Sequence, residues 1–183
     1  MVMTSELTKE EINRKLLHGL AVILPLSIFY GPELTGQPKV FVSWVFAVMF
    51  LLFLSIEWMR LNVDSFHSLF CRYFGGMMRE VENKQLTGAT YVVGGSSICS
   101  VIALHSHKSE AAVLLGLTLF ILGDAVAALV GKAFGRIRVG QKTLEGCLGC
   151  FIFCVLLAWF VFPQLPQFLE AWGGPFSIVQ ILL

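Results

Sequence analysis

The chain has 183 residues, of which 56% are hydrophobic and 14% charged, and its mean hydropathy is +0.78. So apolar a composition excludes an ordinary soluble domain, and the length fits one compact membrane domain, residues 1–183, with no room for a second. A net charge of +1 carries no mark of a nucleic-acid partner.

The first fifteen residues are polar, and Thr8 with Glu11 reads as a capping box that starts a helix near Lys9. An apolar run from Leu16 to Tyr30 continues it, and Gly31-Pro32 is expected to end it. No small-residue cleavage site follows this run. Arg14 and His18 share a helical face, and Lys15 stands between them. Cations here are an ordinary membrane flank. His18, already inside the apolar part, is not needed for that.

A second run, Val40 to Trp58, closes on Glu57 and Arg60, an acid and a base one turn apart. This pair reads equally as an interfacial ion pair or as part of a site. Residues 61–86 are too polar to span. Within them Phe66, Leu69, Phe70, Tyr73, Phe74, Met77 and Met78 form a helical stripe, which predicts an amphipathic helix, capped by Asp64 or Ser65, that lies in the membrane interface or packs its stripe on protein. Further runs cover Leu86 to Leu104, Ala111 to Gly131 and Cys147 to Phe162. Phe176 to Leu183 is too short to cross a bilayer. The expected fold is therefore all-α: a polytopic integral membrane helical bundle of about five transmembrane helices plus one interfacial amphipathic helix.

The five cysteines suggest no disulfide framework, and Cys147-x-x-Cys150 has no second ligand pair, so it reads as small apolar filler. His105 and His107 read as a solvated turn.

The chemistry concentrates between Gly123 and Gly146. As a helix, Gly123, Ala127, Gly131 and Gly135 make one smooth ridge, and Asp124, Ala128, Lys132 and Arg136 make the charged ridge beside it. Lys142, Thr143 and Glu145 follow. Small residues four apart are also the ordinary device for packing membrane helices. A carboxylate inside an apolar helix is a functional signal, and Asp124 is the candidate ligand for Mg²⁺. Lys132, Arg136 and Lys142 would neutralise phosphate, and bare backbone at Gly131 and Gly135 would admit it. Thr143 and Glu145 read equally as N-cap and first-turn acid of the next helix, whose N-terminus itself favours anions.

The string from Asp124 through Ala127, Gly131 and Gly135 to Lys142, Thr143, Glu145 and Gly146 resembles the CTP-binding signature of the CTP-dependent lipid kinases, which phosphorylate dolichol, phytol or diacylglycerol. The same string is similar to that of phosphatidate cytidylyltransferase. The resemblance implies CTP and a membrane lipid. Arg14-Lys15-x-x-His18 resembles a string near the start of the kinase core, and no second cytidylyltransferase signature follows Phe162. Phosphoryl transfer from CTP to a lipid alcohol is thus the expected reaction, with cytidylyl transfer or a non-enzymatic membrane role as alternatives. His18, Glu57 and Glu145 are the three candidate bases, and the acceptor (polyprenol, diacylglycerol or a phytol-like chain) stays open.

Lys and Arg alternate along the chain: three before the first run, then one, four, one and four in successive loops, and none in the tail. The positive-inside rule then expects a cytoplasmic N-terminus and a cytoplasmic Asp124–Glu145 region, where CTP is available, and the inner membrane as the site in a bacterium.

Overall fold

The expected long first helix is two helices, α1 (Lys9–Leu20) and α2 (Ile23–Thr35). The computed structural model describes residues 9–75, 78, 80–140 and 142–175. Proline lacks an N–H, so Pro25 cannot bond back to Ala21, and the chain tightens just before it through Ala21 N–H to His18 C=O and Val22 N–H to Gly19 C=O, both 3.1 Å. Gly31-Pro32 does not end α2. Pro32 is accommodated inside it, and the stop falls at Gly36, whose φ of 65° is the left-handed cap that glycine favours. The capping box lies outside the described residues.

Two helices that follow, α3 (Lys39–Asn62) and α4 (Asp64–Phe74), meet at Val63. α4 is the expected amphipathic helix. Val63 stands at its N-cap without a side-chain bond, so Asp64 is a first-turn acid rather than a cap. Phe66, Phe70 and Phe74 stack along one side, and Arg60 lies 5.7 Å from the Phe70 ring. Leu69 and Tyr73 are exposed. Of the stripe's last residues, Met77 lies outside the described set.

α5 (Gly88–Ile102) runs antiparallel to α3, pinned at both ends: Thr87 bonds to Glu57 at one, and the Ser43 hydroxyl donates to the Ser100 carbonyl (3.0 Å) at the other. Between them Gly94 lets the Phe50 ring close on the backbone, where a Cβ would sit 2.7 Å away. α6 (His107–Phe134) carries Asp124 and is antiparallel to both the α1–α2 unit and α7 (Leu144–Phe160). Ser106 caps it by accepting the Ser109 N–H. A two-stranded hairpin, β1 (Arg138–Val139) with β2 (Lys142–Thr143), turns through Gly140 into α7 and is the one non-helical regular element among the described residues. Sequence periodicity gave no sign of strands so short. Pro166–Trp172 forms α8.

Four stretches are long and apolar enough to cross a membrane: Arg14–Thr35, Lys39–Asn62, His107–Phe134 and Leu144–Gln164. α5 is the fifth expected run, and its 15 residues give about 22 Å of rise, short of a ~30 Å hydrocarbon core. The core sits in two clusters. Ile28, Val42, Phe46, Ala103 and Val113 join α2, α3, α5 and α6, while Phe29, Ala111, Leu114, Phe162 and Phe168 close the far end under α8. The antiparallel contacts thus place Lys15, Glu57 and Asp124 toward one end of the bundle, and Lys39, His107 and Glu110 toward the other.

Candidate active site

Asp124 lies ten residues before the end of α6, where α1 crosses it and the hairpin returns beside it. Three basic side chains converge on its carboxylate. Lys15 Nζ is 3.3 Å from Oδ2, His18 Nε2 is 3.7 Å from the same oxygen, and Lys142 Nζ is 3.7 Å from Oδ1. Lys15 and His18 lie three apart on α1, so one helical face delivers both. Lys15 is only 8% exposed, whereas Asp124 keeps 38% of its side chain open. A buried ammonium needs a counter-charge, and here it has one that solvent and ligands still reach. Among these residues Lys15 read as flanking charge in the sequence. Its signal was the Arg14-Lys15-x-x-His18 string, in which only His18 looked out of place.

The ridge of small residues has a different job from the charged ridge. It seats α7. A Cβ at Gly131 would lie 2.7 Å from Thr143 Oγ1, one at Gly135 2.6 Å from Thr143 Cγ2, and one at Gly146 2.6 Å from the Ala127 carbonyl. Farther along, one at Gly123 would lie 3.0 Å from both Cys150 Sγ and Cys154 Sγ. The ridge is therefore closed by a neighbouring helix rather than open as a groove, because without side chains the two backbones can approach and pack. Cys150 and Cys154 fill that seam as small apolar groups.

Thr143 and Glu145 build the start of α7. Thr143 Oγ1 accepts the Gly146 N–H (3.2 Å) as N-cap. The Glu145 carboxylate accepts the Ile137 N–H at 3.2 and 3.3 Å and so fastens the hairpin to the helix. Lys132 and Arg136 continue the charged ridge toward the hairpin, Arg136 on the surface.

Glu57 stands apart from the Asp124 cluster and is engaged on every side. Its Oε2 accepts Arg60 Nε (2.9 Å) and Nη2, and its Oε1 accepts the Thr87 N–H (3.1 Å), the Thr87 hydroxyl and the Thr90 hydroxyl (3.1 Å). Arg60 also donates to the Glu82 and Gln85 carbonyls, at 2.8 and 2.6 Å. Both side chains are almost wholly buried. The pair is a clamp that holds residues 82–90 against α3.

No protein-family model matches the chain, and no solved structure does. Three curated relatives do, each named CTP-dependent diacylglycerol kinase 1. The protein from Saccharomyces cerevisiae is 26% identical over 156 residues, 84% of this chain and 51% of the relative. Those from Eremothecium gossypii and Schizosaccharomyces pombe are 26% and 28% identical, over 82% and 89% of this chain and 45% and 73% of their own lengths. The chain thus spans about half the length of the first two. Similarity over most of the chain to three proteins of that one name supports the CTP-dependent lipid kinase family.

Proposed function

We propose that this chain is a CTP-dependent lipid kinase, transferring the γ-phosphoryl group of CTP to the hydroxyl of diacylglycerol at the cytoplasmic face of a membrane. The observation that carries the reading is the meeting of Asp124 with Lys15, His18 and Lys142 at the end of a spanning helix. The relatives' name, CTP-dependent diacylglycerol kinase, supplies the nucleotide and the choice of diacylglycerol among lipid alcohols. It does not favour cytidylyl transfer.

The donor set fits Mg²⁺ bound together with phosphate. Asp124 is the single carboxylate of the cluster, and among the described residues no three His, Cys, Asp or Glu side chains gather as a metal cage. Magnesium is ordinarily held in this way, by one or two carboxylates with substrate phosphates and water. Bound there, the ion would offset the charge that develops on the transferring phosphoryl group. The chain's own residues do the rest. Lys15 and Lys142, which share the Asp124 oxygens here, are placed to take the β- and γ-phosphates, with Lys132 and Arg136 behind them. The N-terminus of α7 adds the positive end of its helix dipole. Gly131, Gly135, Ala127 and Gly146 act indirectly, by holding that N-terminus against α6. Of the three candidate bases, His18 alone faces the Asp124 cluster. Glu57 is saturated by its clamp, and Glu145 lies exposed at the hairpin with the Ile137 N–H on its carboxylate, so His18 is assigned the lipid hydroxyl's proton.

The test is direct. Purified protein receives Mg²⁺, CTP labelled in the base or the γ-phosphate, and diacylglycerol, polyprenol, phytol or phosphatidate in mixed micelles. CDP release with label on diacylglycerol is expected. Pyrophosphate release with phosphatidate would overturn the reaction, and no turnover with any acceptor would overturn the enzymatic reading.

A further inference from the structure

The hairpin between α6 and α7 has two faces: one packs on α6, and the other leaves its apolar side chains exposed. Val139 pairs with Lys142 and Arg138 with Thr143, and the Leu144 N–H to Ile137 C=O bond (2.9 Å) continues the ladder by one rung. Residues directly opposite on an antiparallel pair project to the same side, and successive residues alternate. Thr143, and with it Arg138, belongs to the face turned toward the Gly131–Gly135 backbone. Ile137, Val139, Lys142 and Leu144 belong to the other. Ile137 is 56% exposed, Val139 60% and Leu144 42%. Lys142 reaches from this same face to Asp124.

Three large apolar side chains on one face of the eight-residue stretch from Ile137 to Leu144 cost free energy in water, about 25 cal/mol for each Å² of apolar surface left wet. They sit between two helices long and apolar enough to cross a membrane, where a lipid leaflet would take up that surface. The flanking charges, Lys132, Arg136, Arg138 and Lys142, are all basic, and the nearby acid, Glu145, is bonded to the Ile137 N–H. Basic residues with apolar ones suit the headgroup and acyl boundary of a leaflet containing acidic lipid.

We propose that the Ile137–Val139–Leu144 face is immersed in that boundary, and that the hairpin is the lip over which a membrane lipid brings its headgroup to Asp124. The inference deepens the kinase reading and rests on it for the identity of the incoming lipid. Lys142 then stands at the one place where a water-soluble triphosphate and a lipid hydroxyl can meet, and its apolar neighbours hold the acceptor's glycerol end at that depth.

The experiment places a photo-crosslinking amino acid at position 137, 138 or 139 of the full chain in vesicles of phosphatidylcholine and phosphatidylglycerol. Lipid adducts at 137 and 139 several-fold above those at 138 are expected. Equal adducts at all three positions, or none, would overturn the proposal, and this arm needs no turnover. In the second arm, Ile137→Ser with Val139→Ser should raise the apparent KM for diacylglycerol in mixed micelles several-fold and leave the KM for CTP unchanged. A rise in the KM for CTP instead would assign the face to the nucleotide and overturn the lip. If the parent protein shows no turnover, the kinase reading fails, and the crosslinking pattern still decides whether the lip exists.

Discussion

Lys15 Nζ and Asp124 Oδ2 are 3.3 Å apart across a sequence separation of 109 residues. One is nearly buried and the other half-open, so the contact joins a fixed cation to a reachable anion. The arrangement makes Asp124 the most informative single position. Asp124→Asn should lower turnover by about 10²-fold or more, the scale at which charge-stabilising groups act. The folded protein should persist with some loss of stability, because the amide oxygen of the asparagine still offers Lys15 an acceptor. Activity and detergent melting curves measured side by side would show this, and near-normal turnover would remove Asp124 from the mechanism.

His18→Asn tests the base. If His18 accepts the lipid hydroxyl's proton, kcat should fall by about 10²–10⁴-fold, with the KM for CTP little changed. A matched loss in Glu145→Gln, with His18→Asn active, would move the role to the hairpin anchor.

Arg60→Met should unfold rather than inactivate. It leaves the Glu57 carboxylate buried with one partner gone and strips the Glu82 and Gln85 carbonyls of their donor. Breaking one side of a buried pair costs about 3–5 kcal/mol. The melting temperature should drop sharply, and any protein that stays folded should retain its KM for CTP.

Gly131→Leu and Gly116→Leu separate close packing from mere helix content. Both glycines lie on α6, but a side chain at 131 runs into Thr143 and Gly146, while nothing stands within 4 Å of a Cβ at 116. The first should destabilise the α6–α7 pair by about 1–3 kcal/mol or more, as overpacking does, and the second should be tolerated. Equal melting points would disprove the seam.

Topology follows from the charge alternation together with the shared end of Lys15, Glu57 and Asp124. A cysteine at position 140 should react with an impermeant reagent only from the cytoplasmic side. Labelling from outside would sink both the orientation and the access of CTP to the site.

Much of this was legible in the sequence. Runs of apolar residues gave the helices, and the Phe66–Phe74 stripe gave α4, because both signals are local. Asp124 stood out because its surroundings are apolar. What sequence could not supply was who faces whom. The small ridge and the charged ridge are neighbours on one helix, and only the position of α7 shows that the first is filled by a helix, while the basic side chains of α1 and the hairpin meet the second at Asp124. Glu57 and Arg60 read equally as an interfacial ion pair or as part of a site, and it is residues 82–90 that show them to be a buried clamp. Lys15 looked like a membrane flank because its partner is more than a hundred residues away. The break at Pro25 was hidden by Gly31-Pro32, a stronger stop signal that the helix nonetheless passes through.

That break has a mechanical result. An unbroken helix from Lys9 to Thr35 would aim Lys15 and His18 along a line dictated by Ile28 and Phe29 in the greasy interior. Two tight turns at Ala21 and Val22 cut that transmission. α2 is held by the two apolar clusters, and α1 packs along α6, where Lys15 and His18 meet Asp124. Whatever draws the aspartate's charge away slackens that contact without disturbing the interior. The same carboxylate that would receive the metal is thus also one of the points at which the first helix is fastened to α6.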